Sequence, residues 1–448
     1  MAINAFIPRA GVVLDVLLED YGDGTTGTLH TIECVPRSVE IERNDHRSAD
    51  TFSLDLDYQL FPFDPRAVRS VRVRVLLGDV GSPSGALPND DAYMACIGFA
   101  DDAEVKMDGG GAVVTLSGRD YTGPFLDTPW SGAAIDVARS LGDVVAEIVA
   151  SVPGASGINV GYSMGAEALV MADIVGRAKF ATQAGDDTWT VLCDLCGRAG
   201  LIPVITLDML LILTPADFGV NRADFLGTGT MGPNRARFEY GSKVGNLSSL
   251  SFKRDASEWK TKQVEVRAFN EKTRTTLTAT WPTSPVVTRR KVSTEGKVTT
   301  EAAPIIPYYV SGSYTQAALT DLAKSVYTRA ARQQIEARIT SRDMRDLDGA
   351  DIVQIGNGDR ITVTIGSALA SSIAGMATSE AVLYLQRGPA PLDASTAAAL
   401  VAAVKSAEGL AREFYVSKAK HRWSADAGDS GGYTFEAVLI NTVGLEAS

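Results

Sequence analysis

Alternation of apolar and polar residues with a period of two constrains this chain more than any other feature. Val39 and Ile41 alternate with Glu40 and Glu42, and Leu54, Leu56 and Tyr58 alternate with Asp55 and Asp57. Arg72–Gly78 (RVRVLLG) alternates apolar residues with arginine, and Ala112–Gly118 follows a turn at Gly109–Gly110–Gly111. The pattern returns in Gln263–Phe269, Thr276–Trp281, Gly358–Gly366 and the closing segments Glu413–Trp423 and Tyr433–Ile440. Successive strand residues point to opposite faces, so strict alternation demands one packed and one wet face, as in antiparallel barrels and sandwiches.

Three pairs of these segments match in the same order. Ser38–Asp57 can be laid on Ser249–Ala268, Arg72–Gly78 on Arg360–Gly366, and Asp108–Gly118 on Asp429–Leu439. The first pair reads as strand, charged turn, strand; the last as acidic residue, glycine turn, closing strand. Collinear matches imply two copies of one β-barrel, the second interrupted by insertions at 270–350 and 367–412. The expected fold class is mainly β with α/β insertions: two related antiparallel β-barrels plus a small α/β domain. At 448 residues the chain exceeds what one core usually serves. The expected division is a first barrel at 1–125, a middle domain at 126–235 and a second barrel at 236–448.

The middle segment changes period. Positions 137, 141, 144, 145 and 148 form a helical stripe ended by Pro153–Gly154. A second helix is expected from the N-cap Asp187 to Gly200, followed by paired strands in Leu201–Thr214. Further on, 282–313 is rich in Pro, Ser and Thr and reads as a long loop or mobile hairpin. Thr315 is placed to cap a helix reaching about Ser341, through Leu319, Leu322, Val326, Ala330 and Ile335. An alanine-rich helix is expected over 395–412, after Asp393.

Charge and cysteine usage exclude several functions. Lys plus Arg number 42 against 54 Asp plus Glu, a formal charge of −12, and no basic face is visible that could displace counterions from nucleic acid. No apolar run reaches the ~18 residues of a membrane span, and Met1–Arg9 lacks the pattern of a secretory signal. Cys193 and Cys196 form C-x-x-C without a second pair, and Val191, Leu192, Leu195, Cys196 and Ala199 make one apolar stripe, so these thiols read as core residues. Cys34 and Cys96 need no disulfide.

Two short motifs suggest chemistry. Gly161–Gly165 (GYSMG) puts Ser163 in the position of a hydrolase nucleophile. Of the three histidines, His30 and His46 precede it, leaving only His421 as a base in the expected chain order. His421 lies in an alternating strand, and no oxyanion loop precedes Ser163, so a serine hydrolase is the weak alternative. Gly227–Gly232 (GTGTMG) satisfies a dinucleotide fingerprint, but Pro233 and a strand-like pattern follow where a helix is required. Acidic pairs such as Asp90–Asp91 and Asp101–Asp102 fall where turns are expected. No catalytic, cofactor-binding or metal residue is assigned.

Four longer segments carry a resemblance. They are Val114–Thr128 (VTLSGRDYTGPFLDT), Thr188–Ile205 (TWTVLCDLCGRAGLIPVI), Phe238–Asp255 (FEYGSKVGNLSSLSFKRD) and Leu347–Ile365 (LDGADIVQIGNGDRITVTI). As a series they resemble the tail or baseplate hub proteins, also called late control protein D, of contractile-tailed phages and related injection machines. The resemblance implies a non-enzymatic structural protein of the virion tail tip, assembled in the host cytoplasm. It implies a homotrimer whose two barrels per chain give six quasi-equivalent units, joining a six-fold tail tube to a separate spike protein and touching other baseplate proteins. DNA would only pass through its channel, without stable nucleic-acid or membrane binding, and no cofactor is implied. The alternative is another β-rich tail-associated binding protein.

Overall fold

In the computed structural model of the chain, the structure describes residues 7–18, 27–61, 63, 67–80, 87, 93–108, 111–131, 136, 138–155, 157–171, 185–214, 236–240, 245–254, 263–270, 274–283, 288–292, 298–302, 305–310, 316–332, 335–365, 382, 386, 393–395, 412–425 and 432–441. The N-terminal strands are β1 (Ile7–Leu18), β2 (Thr28–Cys34), β3 (Ser38–Arg43), β4 (Thr51–Asp57), β5 (Val68–Val80), β6 (Met94–Asp108) and β7 (Gly111–Asp120). A middle unit follows: α1 (Thr122–Asp127), α2 (Leu141–Ser151), β8 (Asn159–Tyr162), α3 (Thr188–Arg198), β9 (Ile202–Thr206) and β10 (Met209–Leu213). Then come β11 (Ala236–Tyr240) and β12 (Leu247–Arg254). An inserted unit contains β13 (Gln263–Asn270), β14 (Thr275–Trp281), β15 (Thr288–Val292), β16 (Val298–Ala302), β17 (Ile305–Val310) and α4 (Gln316–Arg332). The chain closes with β18 (Ile335–Ser341), β19 (Arg360–Ile365), β20 (Arg412–Ser424) and β21 (Gly432–Asn441).

Among the described residues the architecture is mainly β, dominated by one sheet of 13 strands. Its two halves repeat one strand order. The first runs β3-β4-β7-β6-β5-β1 and the second β12-β18-β21-β20-β19-β11. Corresponding pairs are antiparallel in both halves, except that β1 pairs β5 antiparallel whereas β11 pairs β19 parallel. The register repeats too. Arg72 faces Phe99 as Arg360 faces Tyr415, and Gly111 faces Asp108 as Gly432 faces Ser424. Both copies carry an extra residue at the equivalent place, between Ala100 and Asp102 on β6 and between Val416 and Lys418 on β20. Bulges re-aim a strand and are positional features, so a shared bulge in a shared register identifies β6 with β20.

One half of one sequence match is overturned. Ser38 does correspond to Ser249 on β12, but the counterpart of β4 is β18 and not the expected β13. β12 pairs with β18, while β13 joins a separate sheet of order β14-β13-β17. Residues 255–334 are inserted inside the hairpin, and both strands alternate with period two, so pattern alone could not separate them. The helix expected to reach Ser341 ends at Arg332, because Ile335, Ala337 and Ile339 are claimed by the ladder between β12 and β21. Residues 282–313 hold the β15–β16 hairpin and β17, which lies parallel to β13. The expected alanine-rich helix lies almost entirely outside the described residues.

One core cluster runs through both copies, with Ile41 and Leu54 from the first joining Phe414 and Phe435 from the second. Phe238 stacks on Phe435 with centroids 5.7 Å apart. The middle unit has a second core centred on Trp189, Leu195 and Ile148, which also takes in Val13, Leu76 and Ile97 from β1, β5 and β6. β1 is therefore buried on both faces, Val12 and Leu14 toward the shared core and Val13 toward the middle unit. Asp187 caps α3 by accepting the Thr190 N–H at 2.7 Å, and Gly200 (φ 73°) ends it. Ser140 caps α2, accepting the Asp143 N–H at 3.1 Å. The inserted unit packs Leu319 and Ala323 of α4 on Val264 and Val266 of β13.

The large additions leave the ladder at one end. The segments after β12 (255–334) and after β19 (366–411) depart where Arg254 faces Ile335 and Val363 faces Arg412. The middle unit leaves the corresponding end of the first copy, after Asp120. In the first copy the connections equivalent to the two insertions are short, 44–50 and 81–93.

Glycine at the β6–β7 ladder is required by close approach. A Cβ on Gly118 would lie 2.0 Å from the Phe99 oxygen, whereas one on Gly197 in α3 would meet nothing within 4 Å. Gly118→Ala is expected to destabilise by more than about 2 kcal/mol, and Gly197→Ala to stabilise by about 0.5–1 kcal/mol. Urea unfolding of the two variants checks the opposite signs.

Candidate functional site

Ser163 and His421 do not form a catalytic pair. Ser163 is buried just after β8, and its Oγ accepts the Thr214 N–H at 2.9 Å. His421 is fully buried on β20, with Nδ1 2.6 Å from the Tyr433 hydroxyl and Nε2 2.8 Å from the Ile355 carbonyl. A carbonyl can only accept, so Nε2 carries the proton and Nδ1 accepts from Tyr433. Both ring nitrogens are thus committed. Burial, with Arg43 nearby, pushes the imidazole down to about 3 despite the Ile355 carbonyl, so it is neutral at physiological pH.

The cysteines are free thiols, and burial raises Cys193 to about 12 and Cys196 further still. Both are buried in the core around α3, Cys196 within the apolar stripe its spacing implied and Cys193 beside it. Among the described residues no group of three His, Cys, Asp or Glu could hold a metal ion. Asp101 and Asp102 are not in a turn: they lie on β6, and Asp101 is the bulged residue. Arg119 clamps Asp101 at 2.7 Å and Asp127 at 2.6 Å, holding the Asp127 carboxyl below its usual range. Gly227–Gly232 and Asp90–Asp91 lie outside the described residues.

The chemistry of this chain concentrates instead at the seam between the two copies. β20 offers one edge to two neighbours: Arg412–Tyr415 pair with β19, and Ala419–Ser424 pair with β3. The outward face of the seam is a ladder of opposite charges. Glu40 meets Lys420 at 2.5 Å and Arg422 at 2.8 Å, and Glu42 meets Lys418 at 3.5 Å. Partial burial alone would raise Glu40, but Lys420 and Arg422 outweigh it and hold its carboxyl below the usual range. Such half-exposed pairs each contribute only about 0.2–1 kcal/mol. Their effect is on register, since a slip by one residue would put charge into the core.

The inward face is buried and polar where the units meet. Arg43, at the end of β3, donates to Asp50 at 3.2 Å and to the Ala95 carbonyl on β6. A Cβ on Gly356 of the second copy would lie 3.2 Å from Arg43 Cδ. Burial disfavours the Arg43 charge, but Asp50 outweighs that and raises its pKa. Asp120 accepts the Thr122 N–H at 3.0 Å and interacts with the hydroxyl at 3.1 Å. Burial and the neighbouring Asp50 charge push Asp120 well above the usual carboxylate range. The cluster also ties in the middle unit, through Trp189 Nε1 donating to the His46 carbonyl at 3.0 Å. Trp423 Nε1 donates to the Pro8 carbonyl at 3.1 Å, and Gln354 Nε2 to Met94 O at 3.3 Å, both bridging the copies. The alternation exposed the strands of this seam, but which strands adjoin across 380 residues of sequence had no local signal.

No protein-family model matches the sequence, and no curated protein does. Solved structures do match. The tail protein from Neisseria meningitidis MC58 superposes with a TM-score of 0.59 at 15% identity, over 97% of each chain. The 43 kDa tail protein of prophage MuSo2 from Shewanella oneidensis gives a TM-score of 0.52 at 12% identity, over 96% of this chain and 98% of that one. The chain has the fold of these tail proteins from end to end.

Two pH signatures follow from the seam. His421 has a folded pKa below its unfolded value, so its contribution is full above about pH 6.5 and is lost as pH falls toward 3. The wild type is expected to lose about 1.4 kcal/mol per pH unit more than His421→Gln across that window. Asp120 has a folded pKa above its unfolded value, so its penalty grows as pH rises above about 4. Asp120→Asn is expected to raise the Tm at pH 7–8, with the gain vanishing below about pH 4. Thermal unfolding across pH 3–8 reads both.

Proposed function

We propose that this chain is the structural hub of a phage-type tail tip. In this reading three copies form a ring of pseudo-six-fold symmetry that joins the tail tube to a separate spike protein and surrounds the DNA channel. The observation that carries it is the repetition of one six-stranded order, in one register and with one bulge, inside a chain whose fold is that of phage tail proteins. Two quasi-equivalent units per chain are what a three-fold object needs in order to meet a six-fold neighbour.

The polarity of the ladder supports the same reading. The ladder end from which no large addition departs suits the repeated contact with a tube ring. The end carrying the middle unit and both insertions suits the spike and other baseplate proteins, with the 288–302 hairpin as an attachment element. The net charge of −12 suits a channel wall that DNA passes without retention. The protein acts without catalysis or cofactor, in the virion, after assembly in the host cytoplasm. The burial of Ser163 and the commitment of both His421 nitrogens weigh against the hydrolase alternative.

Light scattering on the purified chain is expected to give three times the mass of one chain, alone or with a tail-tube protein. Ser163→Ala is expected to leave that assembly unchanged, while costing about 1 kcal/mol of stability through loss of the hydrogen bond that Ser163 Oγ accepts from the Thr214 N–H. A chain that stays monomeric in both settings, or that loses an esterase activity with Ser163→Ala, overturns the hub.

A further inference from the structure

Resting on the ring just proposed, the geometry points to its subunit interface: the free edge of β12 pairs antiparallel with residues 103–108 of β6 in the next copy of the chain. The seam inside one chain already joins the equivalent pair of strands. There β3 of the first copy lies on the C-terminal half of β20, with Ser38 facing Ser424 and Arg43 facing Ala419. The counterpart of β3 is β12, and the counterpart of β20 is β6. Among the described residues β12 pairs only with β18, and β6 beyond Phe99 pairs only with β7. Among the described residues, the same two edges that meet inside the chain thus have no strand partner at its two ends.

The duplication fixes the register. Ser38 corresponds to Ser249 and Ser424 to Asp108, so Ser249 would face Asp108, Leu250 Met107, Ser251 Lys106, Phe252 Val105, Lys253 Glu104 and Arg254 Ala103. Nothing in that transfer used the side chains, yet they fit. On the outward face Lys253 comes opposite Glu104 and beside Asp102, where the internal seam has Glu42 near Lys420 and Lys418. The charges are complementary in both seams and inverted between them. In the single chain Asp102, Glu104, Lys106 and Lys253 are all exposed, and among the described residues Glu104 pairs with Lys106 of its own strand, at 3.0 Å.

The inward face gives an independent observation. Met107 is 73% exposed, although it occupies the position of Trp423, which is 5% exposed in the internal seam. The side chain in that position lies beside Val39 of β3 and reaches the Pro8 carbonyl of β1 in one copy, whereas among the described residues it stays exposed in the other. Leu250 of a neighbouring chain, directly opposite in this register, would cover it. An open strand edge is a template for pairing, and here register, charge and apolar exposure select a second copy of the same chain. The contact is head-to-tail, so it propagates until a ring closes. The inversion of charge also disfavours the wrong pairing, because β12 against β20 would set Lys253 beside Lys418 and Lys420.

The test combines charge reversal with cross-linking in the full-length chain. Lys253→Glu is expected to weaken association by roughly tenfold or more per interface, and adding Glu104→Lys to restore it. Oxidising the Ser251→Cys/Lys106→Cys variant is expected to give covalent trimers on a non-reducing gel. Ser251→Cys/Asp102→Cys, four residues out of register, and Ser251→Cys alone are expected to give none. A wild-type trimer that neither dissociates with Lys253→Glu nor cross-links through 251 and 106 overturns this interface and leaves the ring standing. A wild-type chain that is monomeric at all concentrations, with or without a tube protein, overturns the ring and the interface together. Trimers cross-linked equally by the out-of-register pair overturn the register.

Discussion

The edge of β20 is the constraint on which the rest depends. A strand has two edges, and β20 spends one entirely on β21. Its other edge is divided, with four residues taken by β19 and six by β3 from the opposite end of the chain. The bulge at Val416–Lys418 lies at the changeover, and the backbone there is closed by Gly358 N–H to Val416 O at 2.8 Å and Val416 N–H to Asp359 O at 2.9 Å. Without that division the two copies would be separate sheets with separate cores. With it, Ile41 and Phe435 belong to one cluster.

Burying Arg43, Asp50, Asp120 and His421 at this junction is costly unless every polar group is satisfied. Hydrophobic residues could have filled the same space, but they would tolerate sliding. Arg43 reaches Asp50 and the Ala95 carbonyl only in one register, and His421 reaches both Tyr433 and Ile355 only if segment 352–355 is seated on the seam. A buried polar network of this kind exchanges some stability for a single relative placement of the copies. In the proposed ring that placement would be the functional quantity, since an angular error would be repeated at every unit.

Much of this was legible in the sequence because period two is an unambiguous signal where one face is wet. The three matches set Ser38 on Ser249, Arg72 on Arg360 and Gly111 on Gly432, and the ladders repeat those equivalences residue for residue. What the sequence hid was connectivity. Val264 and Val266 alternate as well as Ala337 and Ile339 do, so the strand that answers β4 could not be told from one in an insertion. Ile335 fell on a helical spacing by coincidence with the end of α4. Asp101 read as a turn residue because no pattern within one strand announces a bulge, or an arginine across the ladder waiting to clamp it. The seam itself joins residues some 380 positions apart, and local periodicity carries no information at that range.

Two copies of a unit that were identical would assemble into a six-fold object, with every seam the same. This chain differs from that limit in two ways, and both lower the symmetry in a controlled direction. The large insertions occur only in the second copy and leave from the same end of the ladder, so in the proposed ring every other unit would carry the inserted β13–α4 layer at that end. The charges are inverted between the internal seam and the proposed one, with acids on β3 facing bases on β20 but a base on β12 and acids on β6. Under the proposed pairing like copies would repel where unlike copies attract, so the units of the ring would alternate. Alternation around a closed ring turns six equivalent positions into three pairs. In the proposed ring that reduction from six to three would rest on strand edges whose register and charge admit a single neighbour.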